Sequence, residues 1–261
     1  VLVIFGVLII AGGAFAAVAW KNISSMTSGM YQSSGATKQR NAAAVLSGKK
    51  PVSILLLGTD TGDLGRDYKG RTDTMIIMTI NPKTKKTTMT SIPRDMYVNL
   101  PDYPKYSPAK INAAYAFGGV KESINVVQKE FNVPIDYYVL VNMGGLKKAI
   151  NQVGGVDVTS PLTFTYNGSS FTAGKSEHMN GQTALNFSRM RYDDPKDDYG
   201  RQERQRLVIT ALLRKSISYK TVLNKSFLDS ISNESKTDMT FSQMTKLALS
   251  YRNAAKTVKS D

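Results

Sequence analysis

The sequence contains no cysteine, one histidine and one tryptophan. Without cysteine there is no structural disulfide, no thiolate-bound zinc and no thiol nucleophile. The histidine, His178, lies in a polar Gly-Lys-Ser-Glu setting without partners at metal spacing. No second candidate base supports a Ser-His-Asp triad, so an ordinary surface or turn role is expected. A P-loop, a dinucleotide fingerprint, a helix-turn-helix signature and internal repeats are also missing. Acidic residues are scarce, 20 against 34 lysines and arginines, for a formal net charge of +14. That balance calls for an anionic partner, and nucleic acid, an anionic membrane, a phosphate-linked glycan or a phospholipid head group would each satisfy it.

The length of 261 residues allows one large domain or two small ones. Val1 to Ala19 is an uncharged apolar run closed by Trp20 and Lys21. About 20 such residues span a bilayer, and a Trp-Lys pair suits its interface. A transmembrane helix over 1–20 is therefore expected, with a signal peptide as the rival because of the alanine-rich stretch Ala14 to Ala19. Residues 21–50 are small and polar and read as a spacer, with one helix around Gln39 to Leu46. The domain is expected over 51–261.

Val52 to Leu57 reads as a buried strand that delivers Asp60 from its C-terminal end. Met75 to Ile80 and Thr87 to Ile92 are predicted as an antiparallel hairpin across a short lysine-rich turn. Helices are predicted from Lys110 to Phe117, stopped by Gly118-Gly119, then over Val120 to Phe131 and Met143 to Val153. Strands are predicted over Ile135 to Val141 and Val156 to Thr159, and a hairpin over Thr163 to Phe171 around Asn167-Gly168. Asn180 caps a helix over Gly181 to Arg189. Further helices are predicted from Arg201 to about Ile217, over 221–230 and over 241–255. Alternating strands and helices give an α/β fold, a mixed central sheet flanked by helices.

Asp60, Arg71, Asp73 and Arg94 all fall at strand or loop boundaries. The two aspartates could give hard oxygen ligands to magnesium, which takes only one or two protein carboxylates. Arg71 and Arg94 could hold phosphate oxygens bidentately, and Lys110 could reach a phosphate. From Arg189 to Arg206, six basic residues interleave with five acidic ones. The pattern suits a metal and a polyanion together and disfavours a nucleic-acid footprint. Arg201, Arg204 and Gln205 are expected on one face of a first helical turn, where free backbone N–H groups and the dipole favour an anion. A solvated helix start with local ion pairs is the alternative.

Taken in series, Leu57-Gly58-Thr59-Asp60, Arg71-Thr72-Asp73-Thr74, Ser91-Ile92-Pro93-Arg94-Asp95, Lys110-Ile111-Asn112, Arg189-Met190-Arg191 and Asp198-Tyr199-Gly200-Arg201 with Arg204-Gln205 resemble the LytR-CpsA-Psr family. The resemblance covers about residues 51–217; Gly62 stands where many relatives carry arginine. It implies an α/β/α domain anchored by one span outside the membrane of a Gram-positive bacterium, with a polyprenyl chain in an apolar tunnel. It implies a magnesium- or manganese-dependent phosphotransferase that moves a teichoic acid or capsule polymer from undecaprenyl pyrophosphate to peptidoglycan. By position, Asp60 and Asp73 would hold the metal or activate the acceptor. Arg71, Arg94, Arg189, Arg191, Arg201 and Gln205, with Arg204 and Lys110, would surround the pyrophosphate. A hydrolase using the same groups, or a membrane-bound regulator that holds a lipid pyrophosphate without turnover, fits the same residues.

Overall fold

The run from Val52 has no polar face, and the fold gives it none. The structure, a computed structural model, describes residues 29–59, 70–218, 234–251, 253–254 and 257–260. The expected span over 1–20, Asp60, Gly62 and the expected helix over 221–230 lie outside the described residues. Among those described, no helix is long and apolar enough to cross a membrane.

The strands are β1 (Val52–Thr59), β2 (Thr72–Asn81), β3 (Lys86–Ser91), β4 (Tyr97–Val98), β5 (Ala109–Lys110), β6 (Tyr137–Asn142), β7 (Val156–Thr159), β8 (Phe164–Tyr166), β9 (Ser169–Phe171), β10 (Ser176–Met179), β11 (Ser235–Thr237) and β12 (Val258–Ser260). The helices are α1 (Ala42–Ser47), α2 (Ala113–Phe131), α3 (Met143–Gln152), α4 (Gly181–Arg189), α5 (Asp197–Ser218) and α6 (Phe241–Tyr251). Six strands form the central sheet in the order β11-β6-β1-β2-β3-β12. It is mixed: β1 lies parallel to β6 and antiparallel to β2, which pairs antiparallel with β3.

The sheet is covered on both faces. Ile54 and Leu56 of β1 join one core with Ile76, Val139, Val208 and Leu212, while Leu55 and Leu57 join the other with Ile77, Ile124 and Val127 of α2. This is why β1 reads as a continuous apolar run and not as an alternating one. Each such side chain contributes about 1.5–3 kcal/mol when fully buried, more than an exposed ion pair at about 0–1 kcal/mol, so the core and not the charged segment holds the fold.

The predicted β2–β3 hairpin is present in register from Ile76↔Ser91 to Asn81↔Lys86. The predicted break at Gly118-Gly119 is a kink inside α2, where Gly119 takes φ 67°, a value glycine reaches without a Cβ clash. Asn142 and Asn180 cap α3 and α4 by accepting from the N–H groups of Gly145 and Thr183. The helix predicted from Arg201 begins earlier, at Asp197.

Residues 29–50 do not stand away as a spacer. Met30 and Leu46 are buried in the core. Gln32 N donates to the Thr237 carbonyl at 2.8 Å, and Arg40 Nε donates to Asp136 Oδ1 at 2.7 Å. The strap is held by isolated anchors and backbone bonds, which leave no apolar period in the sequence.

Candidate active site

The ends of β1 and β3 and the start of β2 meet at one edge of the sheet because the pairing alternates direction. There Gly58 faces Thr74; a Cβ on Gly58 would stand 2.9 Å from Thr74 Cβ, so only glycine allows this approach. Asp73 follows at the start of β2, and Arg94 comes from the turn after β3. Lys110-Ile111-Asn112 stitches these together through its backbone: Ile111 N donates to the Met96 carbonyl at 2.8 Å, Asn112 N to the Arg94 carbonyl at 3.2 Å, and Thr72 N to the Asn112 carbonyl at 3.5 Å.

The first two turns of α5 close the ring, Asp198 from the first and Arg201 from the second, so Arg201, Arg204 and Gln205 do not stand on the first turn as expected. Arg94 Nη1 donates to the Asp73 carboxylate, and Arg94 Nε lies 3.6 Å from Asp198 Oδ1. Arg201 Nη2 lies 2.7 Å from the same Asp198 oxygen and donates to the Asp73 carbonyl at 3.2 Å. Two guanidiniums and two acids thus alternate in a nearly closed circuit. Burial pushes the Arg201 guanidinium down from its ordinary value, and neighbouring Arg94 adds to this, while Asp198 opposes it. Arginine stays charged even so. Within the ring the buried Nε atoms of Arg94 and Arg201 and Oδ1 of Asp198 lack an aligned hydrogen bond. Buried polar groups in that condition are poised for an added partner.

The remaining predicted residues divide. Gln205 lines the adjoining cleft. Lys110 pairs with Asp95 at 2.7 Å, and Arg191 with Asp197 at 2.8 Å, both beside the ring. Arg71 is exposed just before β2, and Arg189 is half-buried in the last turn of α4.

Arg204, expected on the same anion-binding face, is turned inward and fully buried. Its Nε donates to the Phe187 carbonyl at 2.9 Å, Nη1 to the Asp194 carboxylate and Nη2 to the Met190 carbonyl, with the guanidinium 5.2 Å from the Phe164 ring centroid. At 3.6 residues per turn it stands about 60° round α5 from Arg201 and about 100° from Gln205, enough to point it at the core, Arg201 at the ring and Gln205 at the cleft. A guanidinium so engaged has no nitrogen to offer a phosphate. It fixes the loop that precedes α5.

Three residues that the sequence reading did not assign matter here. Asp198 bridges the two arginines. Asp194 accepts from Arg204 and from Lys196 N. Gly200 makes room for it: a Cβ there would fall 1.8 Å from Asp194 Oδ2. The spacing of Asp-Tyr-Gly-Arg was the available signal, although neighbouring Asp193, Asp194 and Asp197 obscured which acid served the ring.

Beside the ring runs an apolar cleft between the sheet, α3 and α5. It is lined by Leu56, Leu57, Gly58 and Thr74, by Val139 and Val141, by Met143 and Leu146, and by Gln205, Val208 and Ile209. With Asn142 and Ser188 these come from six elements, so no sequence pattern announced them.

No cluster of three or more metal-binding side chains occurs among the described residues. The oxygens of Asp73, partly exposed at the ring, and of Asp198 are nonetheless of the hard kind magnesium takes one or two at a time. His178 sits apart on an exposed pair with Asp157 at 2.8 Å, as its sequence setting suggested.

The LytR_cpsA_psr family model matches residues 17–261. A polyisoprenyl-teichoic acid–peptidoglycan teichoic acid transferase TagU of Enterococcus faecalis is 47% identical over 225 residues, covering 86% of this chain and 73% of that protein. The crystal structure of Bacillus subtilis TagU superposes with a TM-score of 0.63 at 37% identity, over 82% of this chain and 84% of the other. A structure of TagT bound to LI-WTA gives a TM-score of 0.65 at 28% identity, over 82% and 79%. With the motif series, the sheet and these matches in agreement, the chain belongs to the LytR-CpsA-Psr family.

Proposed function

We propose that this chain transfers a glycopolymer of teichoic acid type from a polyisoprenyl-pyrophosphate carrier to a hydroxyl of peptidoglycan. The observation that carries this reading is that the apolar cleft and the ionic ring are built from neighbouring residues of the same elements: Thr74 and Gln205 line the cleft, while Asp73, next to Thr74 in β2, and Arg201, one turn before Gln205 in α5, belong to the ring. A lipid alone needs the first feature and a soluble phosphate the second. A lipid-linked pyrophosphate needs both. The names carried by the relatives support the same donor and acceptor, and a capsule polymer would present the same pyrophosphate.

In the proposed reaction the lipid lies in the cleft while Arg94 and Arg201 hold the non-bridging phosphate oxygens. Transfer of a phosphoryl group is mostly positioning and charge stabilisation, which these donors supply without a protein nucleophile. The acceptor oxygen bonds to the glycan-bearing phosphorus as the bond from that phosphorus to the bridging oxygen breaks. The lipid leaves as its monophosphate. The hydroxyl proton passes to a carboxylate, Asp60 or Asp73, whichever does not hold the metal. The other would hold magnesium or manganese, whose charge would add to the stabilisation of the phosphate oxygens. The apolar run over 1–20 would anchor the domain outside the membrane.

The test is a transfer assay with a synthetic lipid-pyrophosphate glycan and peptidoglycan fragments, with magnesium present or chelated. Arg94→Ala and Arg201→Ala are each expected to lower transfer by about 10²–10³-fold, the usual loss for an oxyanion-stabilising donor. Release of free glycan phosphate alone would make the protein a hydrolase. Tight lipid binding with no turnover would make it a binding protein.

A further inference from the structure

Large hydrophobic side chains are rarely exposed among the described residues, and three of the seven that are, Tyr97, Tyr192 and Tyr199, stand on the segments that carry Arg94 and Asp198 of the ionic ring. Their exposures are 68%, 89% and 67%. Tyr97 lies on β4, paired with Lys110 of β5, and Lys110 binds Asp95 next to Arg94. Tyr192 lies on the loop before α5, with the Arg191 guanidinium 5.6 Å from its ring centroid and Arg191 itself tied to Asp197. Tyr199 follows Asp198 in the first turn of α5. The two segments meet at the ring, where Arg94, three residues before Tyr97, has its Nε 3.6 Å from Oδ1 of Asp198, the residue before Tyr199.

The axis of α5 orders these features. Ile209, Val208 and Gln205 line the cleft, Arg201 and Asp198 belong to the ring, and Tyr199 and the Tyr192 loop lie at the helix start. From Ile209 to Asp198 the helix rises about 16 Å. The sheet gives the same order for the first two features, with the cleft over β6, β1 and β2 and the ring at the start of β2 and the turn after β3; Tyr97 follows Arg94 by three residues, on β4. An in-line displacement brings the entering oxygen to the side of the phosphorus opposite the leaving oxygen. With the leaving lipid phosphate toward the cleft, the acceptor must come from the tyrosine side.

We propose that Tyr97 and Tyr192, with Tyr199, form the acceptor subsite, a rim on which the sugar rings of a peptidoglycan glycan strand stack beside the ionic ring. This rests on the transferase reading above and names the surface that reading leaves open. The chemistry favours a saccharide. A pyranose offers C–H faces to an aromatic ring and hydroxyls to the polar groups around it, and tyrosine is apolar on its face and polar at its tip. A lipid surface needs a continuous apolar patch. Here the rings are interrupted by the Asp95–Lys110 and Arg191–Asp197 pairs.

The experiment measures equilibrium binding of purified, lipid-free peptidoglycan glycan strands to the full chain and to Tyr97→Ala/Tyr192→Ala. Binding of the lipid-pyrophosphate donor and of vesicles of anionic phospholipid is measured in parallel, and thermal unfolding checks that both proteins are folded. Strand affinity is expected to fall about tenfold, the sum of two lost stacking contacts, with donor affinity within about twofold of the parent. Tyr97→Phe/Tyr192→Phe is expected to retain most of the strand affinity, because the ring face remains. Unchanged strand binding in the alanine variant overturns the proposal, as does loss of vesicle binding with strand binding intact. Because none of these readouts requires turnover, the rim can fail while transfer stands, and absence of transfer by the parent leaves the binding comparison decisive for the rim.

Discussion

Glu122 of α2 is fully buried, with Oε1 accepting from Asp102 N at 3.2 Å and Oε2 without a partner. Burial raises its carboxyl above the ordinary value, opposed by the Asp102 N–H bond. A raised folded value means that this group's contribution to stability is complete below the unfolded value of about 4.3 and is lost as pH rises through the folded value. Glu122→Gln is therefore expected to leave thermal stability unchanged near pH 4 and to raise Tm by about 2–4 °C at pH 7.5. A Tm at pH 7.5 equal to or below that of the parent would contradict this account. The group lies away from the ionic ring and shows that not every perturbed carboxyl marks chemistry.

At the level of single elements, α5 carries the site because its start and its middle do different work. Its first turn supplies Asp198, its second Arg201 and its third Gln205, and its middle the apolar wall of the cleft. The start of the helix is set by the pair of Asp194 and Arg204, and Gly200 leaves the space that pair occupies. Gly200→Ala is expected to push Asp194 off Arg204 and cost about 3 kcal/mol, in the range for breaking a buried ion pair. Denaturant titration measures it. The ring should loosen too, so donor affinity should fall even at temperatures where the variant stays folded. Gly181 plays a packing role at the start of α4, where a Cβ would lie 2.2 Å from the Lys147 carbonyl of α3.

Across the whole molecule, the strap from Gly29 to Pro51 joins the edge strand β11 to the base of β1. Arg40 reaches the carboxylate of Asp136, whose side chain is fully buried and also accepts from Ser53 N at 2.8 Å. The Asp136 interaction raises the Arg40 guanidinium above its ordinary value. Arg40→Met would leave Asp136 with backbone partners only. A loss of about 2 kcal/mol is expected, less than for a wholly buried pair because Arg40 is one-third exposed, with transfer activity retained at low temperature. A loss of activity without loss of stability would place the strap in the reaction and not in the frame.

The local chemistry of the chain was enough to determine β1, β2, β3, the break at Gly118-Gly119 and the cap at Asn180. Apolar runs, positive-φ glycine and capping asparagine act over a few residues and leave a signature in order. The same holds for the site at the level of motifs: Asp73, Arg94 and Arg201 were marked by their positions at element ends, and they meet. Tertiary structure alone decided which members of the charged stretch face the ring. Arg201 and Arg204 are three residues apart and chemically identical, yet one joins Asp198 and the Asp73 carbonyl in the ring and the other is sealed against Phe164 and Phe187. That choice depends on a rotation of about 60° and on the loop folded beneath it, which no linear spacing encodes. The strap and the cleft lining were equally illegible, because each is assembled from single side chains contributed by elements far apart in the chain, and burial acts on their sum.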